Sequence, residues 1–176
     1  MAVTPLKRTL VIGGARSGKS RYAESLAEGH EGIKFYIATA EEGDAEMAAR
    51  IETHRMRRGG DWTTIEEMLN LPETLQQCAS GDNFALVDCL TLWLSNLLLA
   101  DRDCAGATEK LLLAMDRCTG RIVIVTNEVG QGIVPGNELA RHFRDAAGLA
   151  NQRVAEACDE VVLMAAGIPM IIKPAR

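Results

Sequence analysis

The chain has 176 residues, 47% of them apolar, with 24 acidic against 19 basic side chains and a formal net charge of −5. That length suits one domain, spanning 1–176, with a sizeable core, and the acidic balance argues against a nucleic-acid binder. The five cysteines (Cys78, Cys89, Cys104, Cys118 and Cys158) are scattered without a C-x-x-C pair, which reads as free thiols in a reducing cytoplasm and disfavours a zinc site. The start, Met1 to Arg8, lacks the apolar core of a signal peptide. The longest apolar stretch, Leu90 to Ala100, is interrupted by Thr91, Ser95 and Asn96 and is too short to span a bilayer.

In chain order, Arg8–Ile12 is a short apolar strand. It runs into Gly13-Gly14-Ala15-Arg16-Ser17-Gly18-Lys19-Ser20, which fits G-x-x-x-x-G-K-[ST] at every fixed position, and the helical segment Arg21–Glu28 follows. Strand, glycine loop and helix is the setting in which this motif cradles a triphosphate. The glycines let backbone N–H groups close around phosphates, and the helix N-terminus adds partial positive charge. In this reading Lys19 reaches the β- and γ-phosphates and Ser20 ligates Mg²⁺.

Lys34–Thr39 predicts a second strand, followed by a helix from about Ala45 to Arg57 with Asp44 as its N-cap. A helix is expected over Leu71–Ala79, opened by Pro72, and a buried strand over Asn83–Asp88. Leu90–Leu99 and Thr108–Cys118 read as helices and Arg121–Thr126 as a strand. A glycine-rich loop runs from Asn127 to Gly136. A long helix covers Asn137 to Ala157, with Gly148 as a candidate break. Glu160–Met164 is a strand, Gly167-Ile168-Pro169 a turn, and Met170–Lys173 pairs back as a hairpin. Continuous apolar strands separated by helices indicate a mainly parallel sheet covered on both faces, with one antiparallel edge strand: an α/β fold.

Asp88 ends an apolar strand, where P-loop proteins place a second Mg²⁺-linked carboxylate; its other reading is a cap for the helix that begins at Leu90. His54 shares a helical face with Met47 and Ile51, which suits a packed, hydrogen-bonded histidine. Arg50, Arg55, Arg57 and Arg58 offer a second reading, because nearby positive charge keeps an imidazole neutral and nucleophilic and arginines bind polyphosphates. Asn127 and Glu128 follow a strand, at the end of the sheet where ligands bind; loop capping would explain them equally. Arg141, Arg144 and Asp145 form surface ion pairs or supply an arginine to a phosphate across a subunit interface. His30 and His142 are read as structural. The absence of N-K-x-D disfavours a guanine-reading switch GTPase. An ordinary small-molecule P-loop kinase remains an alternative.

Beyond the phosphate loop, the chain resembles the bifunctional adenosylcobinamide kinase / adenosylcobinamide-phosphate guanylyltransferase family of cobalamin biosynthesis. The similar segments are Tyr36-Ile37-Ala38-Thr39-Ala40, Glu46 to Ile51, His54-Arg55, Trp62 to Glu66, Asp88-Cys89-Leu90-Thr91 with Asn96-Leu97-Leu98, Thr126 to Gly130, Ile133-Val134-Pro135, Leu139-Ala140-Arg141, Phe143-Arg144-Asp145, Gly148 and Asn151-Gln152. The resemblance implies a RecA-like P-loop domain and a homotrimer with sites near subunit interfaces. It implies two reactions at one site. A nucleoside triphosphate, GTP or ATP, phosphorylates adenosylcobinamide. GMP then passes from GTP through a guanylylated histidine, carried over to His54, to adenosylcobinamide phosphate. Gly13 to Ser20, Glu66 and Asp88 become nucleotide-binding residues, Lys19 and Asp88 catalytic ones, and Ser20 and Asp88 Mg²⁺ ligands. The family pattern often has a proline after the arginines that follow its histidine; here the chain reads Arg57-Arg58-Gly59-Gly60-Asp61.

Overall fold

The computed structural model describes residues 8–40 and 60–175. The described residues form β1 (Arg8–Gly13), α1 (Lys19–Ser25), β2 (Lys34–Ala38), β3 (Trp62–Glu66), α2 (Leu71–Cys78), β4 (Phe84–Asp88), α3 (Leu90–Leu99), α4 (Cys104–Arg117), β5 (Arg121–Asn127), α5 (Glu138–Ala157), β6 (Glu160–Ala165) and β7 (Ile168–Lys173). The expected helix from Ala45 to Arg57, its cap Asp44, His54 and the four arginines around it lie outside the described residues.

The strands form one sheet in the order β3-β2-β4-β5-β1-β6-β7. Every pairing is parallel except β6 with β7, so the expected antiparallel edge is present. Its turn is Ala166-Gly167, with φ of 51° and 82°. Two successive positive φ values match the right-handed twist of a two-residue hairpin.

Central strands alternate their apolar residues between two cores. Leu10, Val87, Ile122 and Ile124 join Leu71, Trp93, Leu111 and Val154 from α2, α3, α4 and α5. Val11, Leu86, Val123 and Val125 face the other way, with Ala23 from α1. The handedness of the crossovers explains this division. The connections β3 to β4, β4 to β5 and β5 to β6 all advance in one direction along the sheet, whereas β1 to β2 runs back. Right-handed crossovers must then place α1 on the opposite face from α2–α5.

Three expectations need correction. Trp62–Glu66, read only as a family segment, is β3, a parallel edge strand beside β2. Its residues are half-buried or exposed, so it lacks the apolar run that marks the central strands. α4 starts at Cys104, four residues before the expected Thr108, because the Asp103 carboxylate accepts the Ala105 N–H at 2.9 Å and caps the helix. α5 runs unbroken through Gly148. Burial of Ala147, Ala150 and Val154 against the sheet outweighs the cost of one helical glycine, about 1 kcal/mol. Among the described residues no helix is long and apolar enough to cross a membrane.

Candidate active site

β1 delivers the glycine loop to the carboxyl edge of the sheet, between β5 and β6, where Gly13 pairs with Asn127 and Met164. A Cβ at Gly13 would stand 2.5 Å from the Met164 carbonyl oxygen, so only glycine fits there. Gly18 precedes α1 with φ of 94°, a left-handed conformation that costs other residues. The Gly167 N–H of the β6–β7 turn donates to the Ser17 carbonyl at 3.0 Å, bracing the loop from its far side. Ser17 Oγ is buried with no hydrogen-bond partner among the described residues.

Lys19 is only 7% exposed. Its Nζ donates to the Gly14 carbonyl at 2.6 Å. Burial holds its pKa below the ordinary lysine value, and the negative charge of Asp88 works against that shift. A poorly solvated ammonium beside folded-back backbone is prepared to bind an anion.

Asp88 closes β4. It alternates with Leu86 and Phe84, which lie in the core on the α1 side, so its carboxylate shares a face with Lys19. The Tyr36 hydroxyl donates to Asp88 Oδ2 at 2.8 Å. Thr39, just past β2, holds the next residues. Its N–H donates to the Asp88 carbonyl at 3.1 Å, its hydroxyl donates to the Cys89 carbonyl at 2.7 Å, and its oxygen accepts the Cys89 N–H at 2.8 Å. Asn96 Nδ2 in turn donates to the Thr39 carbonyl at 2.8 Å. Burial, then the neighbouring Asp88, pushes the Cys89 thiol up to about 12, so it stays protonated at neutral pH.

At the end of β5 the buried polar groups close a ring. The Asn127 N–H donates to Thr91 Oγ1 at 2.7 Å. Thr91 and Thr126 hydroxyls lie 3.0 Å apart. Thr126 donates to Asn151 Oδ1 at 2.7 Å, which leaves Thr91 to donate to Thr126. Asn151 Nδ2 returns to the Asn127 carbonyl at 3.2 Å. Each member is satisfied, as buried polar groups must be. The ring fixes the backbone before Glu128, whose N–H donates to the Gly13 carbonyl at 3.0 Å. The β5 turn is thereby tied to the glycine loop.

The fold therefore gathers Gly13 to Ser20, Asp88, Asn127 and Glu128 at one edge. Glu66 also ends a strand, but β3 lies four strand positions from β1, about 19 Å across the sheet at ordinary strand spacing. The arginines of α5 take the ordinary roles open to them. Arg141 donates to the carbonyls of Pro135 and Gly136 at 3.1 and 2.8 Å, and Arg144 pairs with Asp145 at 3.2 Å. Tyr36, Thr39, Thr91, Thr126 and Asn151 had no assigned role in the sequence. Their common signal, a hydroxyl or amide near a strand end or on a helix facing it, becomes specific only with the strand order known. Ser20 and Asp88 supply hard oxygen donors, and no cluster of three His, Cys, Asp or Glu that could hold a metal occurs among the described residues.

Two solved structures share this architecture. An ATPase of a type III secretion system is 10% identical with a TM-score of 0.54, covering 89% of this chain and 50% of that one. A Pyrococcus horikoshii OT3 protein is 9% identical with a TM-score of 0.56, covering 97% and 87%. They support the P-loop fold. The bifunctional adenosylcobalamin biosynthesis protein CobP of Pseudomonas aeruginosa is 49% identical over 168 residues, 94% of this chain and 97% of that protein. The CobU proteins of Escherichia coli and Salmonella typhimurium, bearing the same description, are each 44% identical over 179 residues, 93% of this chain and 98% of theirs. A family model described as cobinamide kinase / cobinamide phosphate guanyltransferase matches residues 9–172. With the glycine loop, the strand-end aspartate and the β5 turn that is bonded to that loop, these likenesses lead to one assignment: the chain belongs to the cobinamide kinase / cobinamide phosphate guanyltransferase family.

Proposed function

We propose that this chain carries out both reactions named for its family in one domain, and that they share the glycine loop. The observation that carries the reading is the meeting of a loop-bound, dehydrated Lys19 with Asp88 on one face of the sheet edge. Ser17 Oγ, buried without a partner among the described residues, is a group that a phosphate oxygen would satisfy.

In the kinase step the side-chain hydroxyl of adenosylcobinamide attacks the γ-phosphorus of GTP or ATP. An O–P bond forms, the bond to the β-phosphate oxygen breaks, and the nucleoside diphosphate leaves while the hydroxyl proton passes to solvent or a base. Lys19 and the loop N–H groups stabilise the charge that spreads over the phosphoryl oxygens. Ser20 and Asp88 would hold Mg²⁺ together with phosphate oxygens. Such a site needs few protein ligands, because Mg²⁺ keeps waters and takes phosphates as donors. Mg²⁺ would supply Lewis-acid neutralisation of the phosphates.

In the guanylyl step an imidazole nitrogen of His54 attacks the α-phosphorus of GTP. A P–N bond forms, the bond to the β-phosphate oxygen breaks, and pyrophosphate leaves. A phosphate oxygen of adenosylcobinamide phosphate then attacks the same phosphorus and releases the histidine, giving adenosylcobinamide-GDP. β2 delivers the chain to the site edge just before the segment that bears His54, which supports this assignment. The arginines at 50, 55, 57 and 58 would keep the ring neutral and receive the leaving pyrophosphate. Glu66 would contact the nucleotide away from the phosphates.

Incubation with GTP labelled at the α-phosphate tests the reading. We expect acid-labile, alkali-stable label on the protein, abolished in His54→Ala, with phosphorylation of adenosylcobinamide surviving at least in part. Covalent label retained by His54→Ala would move the nucleophile elsewhere, and no label on the wild-type protein would favour a kinase alone. We also propose a homotrimer, on the family resemblance. Light scattering should then give three times the 19.0 kDa chain mass, and a stable monomer at micromolar concentration would reject it.

A further inference from the structure

We infer that Tyr36 is a positioning residue for the metal-linked carboxylate: its hydroxyl locks the rotation of Asp88 and so sets how readily the site takes Mg²⁺. This rests on the proposed metal role of Asp88.

The argument begins with strand register. β2 and β4 run parallel, with Tyr36 opposite Leu86 and Ala38 opposite Asp88. Residues opposite each other in a parallel pair share a face, so Tyr36 and Asp88 point to the same side, two residues apart along the strands. Two residues of strand rise are about 6.6 Å, a gap that a tyrosine side chain closes. At Ala38, directly beside Asp88, the side chain is too small to compete. The phenol therefore reaches past Ala38 to Asp88 Oδ2 at 2.8 Å.

The hydroxyl arrives from a rigid ring. Tyr36 is 4% exposed and meets the Trp62 ring edge-on, with centroids 6.2 Å apart at 86°. Trp62 meets Phe84 in the same manner, at 5.8 Å and 87°. The edge strand β3 thus fixes the ring whose hydroxyl fixes the carboxylate.

The carboxylate benefits because its terminal torsion is broad and roughly two-fold. Thr39 holds the backbone of Asp88 but leaves that torsion free. An ionised carboxylate only accepts hydrogen bonds, so the phenol donates. One oxygen is held and the carboxylate plane is set before a cation is bound. Groups of this kind that orient a ligand change metal affinity by about 10–100-fold when lost.

Tyr36→Phe removes the hydroxyl and leaves the aromatic packing. The protein as it exists should be titrated with Mn²⁺ in the presence of a non-hydrolysable GTP analogue, with free Mn²⁺ followed by electron paramagnetic resonance. The Mg²⁺ dependence of turnover should be measured in parallel, with Asp88→Asn as the reference. We expect Tyr36→Phe to weaken Mn²⁺ binding by about tenfold, to raise the half-saturating Mg²⁺ similarly, and to recover turnover at high Mg²⁺. Nucleotide binding in a chelator and the thermal midpoint should stay near wild type. If Asp88→Asn shifts the metal curves and Tyr36→Phe does not, the positioning role is wrong. If Asp88→Asn leaves them unmoved, the metal assignment fails and takes the Tyr36 role with it. A loss of turnover in Tyr36→Phe that high Mg²⁺ does not restore, with Mn²⁺ binding intact, would also overturn it.

Discussion

At the carboxyl end of the strands the buried groups include polar side chains that, Ser17 Oγ aside, are hydrogen-bonded; at the amino end aromatic rings meet edge-on. At the carboxyl end Lys19 donates to the Gly14 carbonyl, Tyr36 and Thr39 hold Asp88 and Cys89, and Thr91, Thr126 and Asn151 close a ring with Asn127. Near the amino end, His30 and Trp62 flank Phe84 with centroids 5.5 and 5.8 Å away, and the Arg121 guanidinium sits 5.4 Å from the centre of the same ring. Parallel topology produces this contrast. It sends helix N-termini to the carboxyl edge and helix C-termini to the amino edge, where the dipoles call for opposite partners. At the amino edge Lys173 Nζ donates to the carbonyls of Ala155, Glu156 and Cys158 at 2.8, 3.0 and 2.5 Å, and Arg8 donates to that of Ala157 at 3.3 Å. These cations brace the end of α5. Among the described residues, the one buried cation of the opposite edge, Lys19, donates to a loop carbonyl that a phosphate can replace. On the proposed reading, one end serves stability and the other binds an anion.

If that division is right, the largest effect separates activity from stability. Lys19→Ala should abolish both transfers, by about 10²–10³-fold or more for the loss of a charge aimed at the phosphates. It should leave unfolding free energy unchanged or raised by about 1 kcal/mol, because it removes a dehydrated ammonium. Urea unfolding alongside turnover measures both; a marked loss of stability would make Lys19 structural and break the comparison. Asn151→Leu sharpens it from the other direction. It leaves Thr126 Oγ1 and the Asn127 carbonyl without this partner, costing about 2–4 kcal/mol, and should lower turnover beyond the loss of folded protein because Glu128 is no longer held against Gly13. Asn151→Asp keeps the acceptor for Thr126 and should lose less of both. Turnover unchanged per folded molecule in Asn151→Leu would limit the ring to a stabilising role. The smallest effect belongs to the amino end. Lys173→Met should cost about 1–2 kcal/mol through the carbonyls it leaves behind, with turnover per folded molecule within about twofold of wild type. A larger change in turnover would show that the two ends are coupled.

How much of this was legible in the sequence depended on how local the signal was. The glycine loop, the strand before it and the helix after it are contiguous, so spacing alone revealed them. The central strands announced themselves because burial on both faces leaves an unbroken apolar run. β3 did not, because an edge strand needs no such run. The cap on α4 is hard to read from the sequence because Asp103 lies five residues ahead of the clear helical pattern at Thr108.

Local sequence thus determined the phosphate loop, the α/β class and the aspartate at the end of β4, since each depends on neighbours within a few residues. Only the tertiary structure decided that Tyr36 reaches Asp88, that Thr39 clamps Cys89, and that Asn151 completes a ring with Thr91, Thr126 and Asn127. Those pairings span 24 to 52 positions of sequence. They arise from the order in which parallel strands align, and a hydroxyl or amide carries no mark in the sequence of the strand it will face.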